Sequence, residues 1–158
     1  MTVLFVLAAL AFTSAATVQV GELHRRRAAE DELIFIGAQF RQALRSWHEA
    51  APAGRAPRGP LRAEDLLLDP RFAQPQRHLR HLPPDPMTGR ADWVLLRARD
   101  GGIVGLHSAS SRRPVRQANF PSDFFHFEHR GRYRDWWFTW GLICTAGGCT
   151  LDDTTTAP

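Results

Sequence analysis

The chain predicts an α+β fold in which one long N-terminal helix packs on a small three- to four-stranded antiparallel sheet. Three observations carry that expectation. Residues 1–51 contain no proline, the apolar residues between Leu33 and Trp47 recur at helical period, and after Trp93 the period changes to two. At 158 residues the chain can build one small globular domain and no second.

The helix changes character along its length. Thr2 to Ala16 carries no charge and Thr17 to Val20 stays mostly apolar, so residues 1–21 form the half suited to a membrane or a filament core. A bilayer span needs about 20 apolar residues, and this half reaches that only with Thr17, Gln19 and Gly21 included. A cleaved secretory signal is the competing reading, since the run ends in Thr13-Ser14-Ala15-Ala16, although the usual basic n-region is missing. Residues 22–50 form the amphipathic half: Leu33, Ile36, Phe40, Ala43, Leu44 and Trp47 lie within a stripe about 100° wide and are the expected helix core. Phe35 points well away from it, where a neighbouring subunit could pack. The whole rod would be roughly 70 Å long, too long for the core of one small domain.

Pro52, Pro57 and Pro60 end the helix. Residues 51–92 read as a Pro-rich connecting loop with short helical turns at Leu61–Leu68 and Gln76–Leu82. Pro84, Asp85, Pro86, Met87, Thr88, Gly89, Asp92 and Trp93 dictate a rigid turn leading into a strand. Residues 93–143 supply the sheet. Val94 and Leu96 face the core on the first strand, Asp100-Gly101-Gly102 turns the hairpin, and Val104 and Leu106 return on the matching face. A polar, Arg-rich loop spans 108–132. A strand from Tyr133 to Trp140 then puts Trp136, Phe138 and Trp140 on one side, and 144–158 reads as a tail.

The order of a hydrophobic helix running into an amphipathic one, a Pro-rich loop and a small antiparallel sheet resembles type IV pilin-like proteins. Within them, Ala29 to Leu44, Leu82 to Trp93, Gly101 to Ser108 and Tyr133 to Phe138 look like a major-pseudopilin-like subgroup of type II secretion pseudopilins. The resemblance implies a structural subunit of a periplasmic pseudopilus, supporting type II protein secretion or a related type IV pilus machine. It implies a single-pass inner-membrane anchor with the C-terminal domain in the periplasm. Its implied partners are other pilin-like subunits, met through the N-terminal helix, the inner membrane and the secretion or pilus machinery. In lipid the helices would associate by close packing, for which Ala8, Ala9, Ala11, Ser14 and Ala15 are suitably small.

Family members begin with a basic leader, a Gly-Phe cleavage junction and usually a glutamate early in the mature helix, none of which is visible at Met1 to Phe5. Arg25-Arg26-Arg27 after the apolar run also needs a basic counterweight upstream if the domain is to lie outside the cytoplasm. The expectation is therefore a true start upstream of Met1.

No catalytic residue, metal or cofactor is assigned. His78/His81 and His126/His129 match an i,i+3 metal pair, with Asp85 or Glu128 as a further ligand, but no spacing completes a four-ligand site. Asp152 and Asp153 alone do not make the calcium loop of many major pseudopilins. Ser108, Ser110 and Ser111 lack a nucleophile elbow, and turn chemistry accounts for Asp85 and Asp92 without an active site. All 20 basic side chains are arginine, and the formal charge is +4, yet no nucleic-acid motif accompanies them. The basic and aromatic residues of 112–127 suit single-stranded nucleic acid by composition alone, which keeps a DNA-uptake pilin as an alternative. The other alternative is an exported soluble periplasmic domain, binding or enzymatic, released by signal cleavage. Finally, Cys144 and Cys149 flank Gly147-Gly148 and are a candidate disulfide in an oxidising compartment.

Overall fold

The computed structural model describes residues 2–51, 58–140, 142–145 and 148–151, with side chains described for 21–51 and 58–140. One helix, α1 (Thr2–Glu49), is followed by strands β1 (Val94–Arg97), β2 (Ile103–His107) and β3 (Phe138–Thr139), which form an antiparallel sheet in that order. A separate hairpin pairs β4 (Leu142–Thr145) with β5 (Gly148–Leu151). The architecture is thus α+β, one long helix against a small three-stranded antiparallel sheet. Among the described residues no helix is long and apolar enough to cross a membrane. The side chains of residues 1–20, where the sequence places the span, lie outside those described.

The amphipathic half of α1 buries Leu33, Ile36, Phe40, Ala43, Leu44 and Trp47, while Phe35 is 58% exposed. Gly37 lies in the middle of the buried face because Phe138 occupies the space that a Cβ would need. Across the sheet Leu95, Leu106 and Phe138 are register partners on the core side.

That register corrects the expected face of the hairpin. The pairing shifts between Leu96 and Arg97, leaving Val104 without a partner on β1. Such a bulge reverses the alternation, so Ile103 and Leu106, three apart, are both buried, and Val104 is only half-buried. Val94 is exposed, Leu96 is half-buried opposite Gly105, and Leu95 packs on the core in their place. The turn is closed by Ala98 N–H donating to the Gly102 carbonyl at 2.9 Å, with Gly101 at φ +84°.

The expected helix at Leu61–Leu68 is reduced to one 3-10 turn, Ala63–Leu66, capped by the Asp65 carboxylate, which accepts from the N–H groups of Leu61 and Arg62. It does not lengthen because the Asp69 N–H, next in 3-10 order for the Leu66 carbonyl, donates to the Gln76 carbonyl at 2.9 Å, and Pro70, next in α order, has no N–H. His78 and Leu79 N–H groups bond the Leu66 carbonyl instead, both at 2.9 Å. Gln76–Leu82 is held there as irregular chain, with bends at His78 and Arg80, and not as the expected second helical turn.

The expected strand Tyr133–Trp140 shortens to β3. Tyr133–Asp135 is a 3-10 turn whose Tyr133 and Arg134 N–H groups donate to the carbonyls of Arg112 and Ser110, pinning the preceding loop. Trp136 and Phe138 are fully buried, whereas Trp140 is half-buried and stacks on His48 with ring centroids 4.2 Å apart. The 108–132 loop is also more than a polar excursion. Its 3-10 segment Ser122–Phe127 buries Phe124 and Phe127, and Phe127 stacks on Trp136 at 5.3 Å. The β4–β5 hairpin begins at Leu142 and runs to Leu151, into the stretch expected as a tail.

Candidate functional site

Three buried carboxylates fasten this small domain to α1 and to itself, and around them lie the surfaces it presents. Glu30, on the buried face of α1, is 1% exposed. It accepts from the Val115 N–H at 2.6 Å, the Arg116 N–H at 3.1 Å and the Tyr133 hydroxyl at 2.7 Å. One carboxylate thereby binds the 108–132 loop and the turn before β3 to the helix. Burial pushes the Tyr133 hydroxyl up to about 12, with the Glu30 hydrogen bond and charge adding to it and Arg26 opposing.

Asp69 fastens the connecting loop to the other end of the helix. Its carboxylate accepts from Arg71 Nη2 at 2.6 Å and shares a 3.1 Å hydrogen bond with His78 Nε2, while His78 Nδ1 meets Ser46 Oγ at 2.8 Å. Arg71 lies 3.7 Å over the Trp47 ring and donates to the Trp47 carbonyl at 2.9 Å. Burial favours the neutral Asp69, but the hydrogen bonds from Arg71 and His78 outweigh it and hold the carboxyl below its ordinary range. Ser46, His78 and Asp69 stand in line, yet the side chains of His78 and Asp69 are fully buried. They act as a clamp between helix and loop.

Asp85 holds the turn that leads from Pro84 to Trp93. It is fully buried and accepts from the Met87 N–H at 2.8 Å, the Ser108 hydroxyl at 2.6 Å and the Ala109 N–H at 3.2 Å. Gly89 takes φ +71° and donates to the Asp85 carbonyl. Asp92 takes the Thr88 hydroxyl, and the Trp93 indole donates to the Pro83 carbonyl at 2.8 Å. Met87 and Trp93 pack on the core, Pro86 is half-buried and Pro84 is exposed.

The two histidine pairs do not converge: His126 Nε2 meets the Trp137 carbonyl, His78 is held in the Asp69 clamp, and His81 and His129 are exposed. Among the described residues no group of three or more His, Cys, Asp or Glu could hold a metal. In the β4–β5 hairpin the backbone sets Cys144 directly opposite Cys149; their side chains, like Asp152 and Asp153, lie outside the described residues.

The outer surface exposes Phe35 on the helix, Phe125 in the 3-10 segment and Trp137 just before β3. A polar cleft of about 330 Å³ separates the helix from the 115–119 loop and is lined by Arg27, Asp31, Arg116 and Asn119, among others. Glu30, Asp69, Arg71 and Tyr133 were missed from sequence. Glu30 carried a signal, because it continues the spacing of Leu33, Gly37, Phe40, Leu44 and Trp47 and so marks a carboxylate on a core face. Comparison with protein-family models, with characterised proteins and with solved structures found no match.

Proposed function

We propose that this chain is a pseudopilin-like structural subunit of a periplasmic filament, serving type II protein secretion or a related type IV pilus machine. The observation that carries the reading is the unbroken 48-residue helix Thr2–Glu49. From Glu22 onward it is fastened to the rest of the chain, beginning with Arg112, 3.7 Å from the Glu22 carboxylate. The backbone before that point is roughly 30 Å of helix, comparable with a hydrocarbon layer of about 30 Å, and the sequence there is uncharged. A rod whose second half is fastened to a compact domain and whose first half is uncharged in sequence is suited to bundling by that first half while the domains coat the bundle.

On this reading the anchor is single-pass in the inner membrane, the domain is periplasmic, and the partners are further subunits and the export machinery. The chemistry is packing. The Glu30 and Asp69 anchors serve it by fastening helix and domain together, and Asp85 by holding the domain's own turn. Phe35, 58% exposed on the helix, is the side chain offered to a neighbouring subunit.

Membrane flotation with N-terminal sequencing, joined to subunit crosslinking through cysteines introduced at Ala8 and Ala15, tests the proposal. The expected result is a floating protein that yields a ladder of crosslinked oligomers. A soluble periplasmic protein beginning near Thr17 would replace it with the exported-domain reading.

A further inference from the structure

The end of the domain nearest the apolar half of α1 is a collar of arginines drawn from two distant parts of the chain. Arg25, Arg26 and Arg27 belong to the helix. The loop bearing Arg112, Arg113 and Arg116 is laid against that helix: Arg26 Nη2 donates to the Arg113 carbonyl at 2.9 Å, Arg112 lies 3.7 Å from Glu22, and Arg116 pairs with Asp31 at 3.0 Å. Against these six cations, helix residues 22–31 supply three carboxylates. Two of those are matched by Arg112 and Arg116, and Glu30 is buried on the Val115 and Arg116 N–H groups and Tyr133. Among the described residues Arg25, Arg27 and Arg113 are exposed and have no ion-pair partner.

We infer that this collar seats the domain on anionic phospholipid headgroups around the emerging helix. The inference rests on the proposed membrane anchoring. If residues up to Gly21 cross the hydrocarbon, Arg25 to Arg27 stand roughly 6–9 Å beyond it at 1.5 Å per residue. The headgroup layer is about 5–8 Å deep, so their guanidiniums reach the phosphates, which they bind in a planar fork. Arg113, carried by the loop, broadens the contact beyond the width of one helix. A second subunit is a poorer occupant, because an identical collar would meet it with the same charge.

The test uses the full chain reconstituted in phosphatidylcholine vesicles containing spin-labelled phosphatidylglycerol or spin-labelled phosphatidylcholine, with the lipid fraction restricted by the protein read by electron paramagnetic resonance. An arginine at an anionic surface contributes about a fivefold preference, so phosphatidylglycerol should be held several-fold over phosphatidylcholine. The preference should fall toward one in R25Q/R27Q/R113Q and in molar salt. It should survive in R77Q/R80Q/R99Q, which removes as much charge from the Trp47 end. Equal retention of the two lipids by vesicle-bound wild type, or equal loss in the two triple variants, overturns the collar while leaving the anchor intact. A chain that fails to float with the vesicles overturns both.

Discussion

The Glu30–Tyr133 contact makes a prediction that this composition renders unusually clean. Tyr133 is the only tyrosine and the chain has no lysine, so between about pH 9.5 and 12 little else titrates except the two thiols, which when free lose their protons at about 8.5. Burial and Glu30 raise the native hydroxyl from its ordinary 10.0 to about 12. The unfolded chain therefore loses this proton first. Stability from this group is fully present below about pH 10 and is lost as pH rises through about 12. At 1.36 kcal/mol per pKa unit, the loss over that window is of order 2–3 kcal/mol. Near-ultraviolet phenolate absorbance of the full chain in detergent follows the one tyrosine directly, and denaturant unfolding at several pH values follows the stability. In Glu30→Gln the carboxylate charge is gone but burial, the larger cause, remains, so the transition should move partway back toward pH 10 and the alkaline loss should shrink. The same substitution should cost about 1.5–3 kcal/mol at neutral pH, the worth of hydrogen bonds to a charged group. A native tyrosine titrating near pH 10, with stability flat through the window, would refute the reasoning.

Four further outcomes are expected. Gly37→Ala should destabilise by about 1–3 kcal/mol by overpacking, although helix propensity alone would favour Ala by about 1 kcal/mol; thermal unfolding decides, and adding Phe138→Leu should recover part of the loss. Asp69→Asn should cost about 3 kcal/mol by leaving Arg71 unpaired. Because the native Asp69 carboxyl is held below its ordinary 3.8, its stabilisation is present above that pH and is lost as pH falls through the native value, so the variant's stability curve should be flatter on the acid side. Mass spectrometry of protein alkylated after folding under oxidising conditions should find Cys144 and Cys149 joined, their backbone register being suited to a bridge; two alkylated thiols would refute it. Phe35→Asp should leave unfolding within about 0.5 kcal/mol of wild type yet reduce the crosslinked ladder, and an unchanged ladder would remove Phe35 from the assembly surface.

What could be read from sequence follows from how far each signal reaches along the chain. The helix and its core face depend on residues three and four apart, and Leu33, Ile36, Phe40, Leu44 and Trp47 are all buried. The hairpin turn was legible for the same reason, since Asp100-Gly101-Gly102 is a local instruction. The face of the hairpin was not. Val94, Leu95 and Leu96 are all apolar, so alternation there is ambiguous, and the side that packs is decided by the bulge opposite Arg97, which no neighbouring residue announces. The last strand failed because its backbone groups are claimed from outside: the Tyr133 and Arg134 N–H groups go to Arg112 and Ser110, more than twenty residues away.

The polar anchors obey a different logic from the apolar core. Hydrophobic burial is non-directional, so a stripe of leucines and aromatics predicts that a face is covered without saying by what. A buried carboxylate must find donors, and those of Glu30 and Asp69 come partly from loops that sequence patterning treats as polar filler. The face bearing Glu30, Leu33, Gly37, Phe40, Leu44 and Trp47 has two residues that an apolar stripe would not select. One is a charge, the other lacks a side chain. Each marks a place where a distant segment is fixed: Val115, Arg116 and Tyr133 on Glu30, and Phe138 on Gly37. These two exceptions determine how the loop and β3 approach the rod, while the leucines between them supply the adhesion. On the proposed filament reading both are needed, because a domain that could roll on its helix would present Phe35 and the arginine collar at no fixed angle to neighbouring subunits or to the membrane.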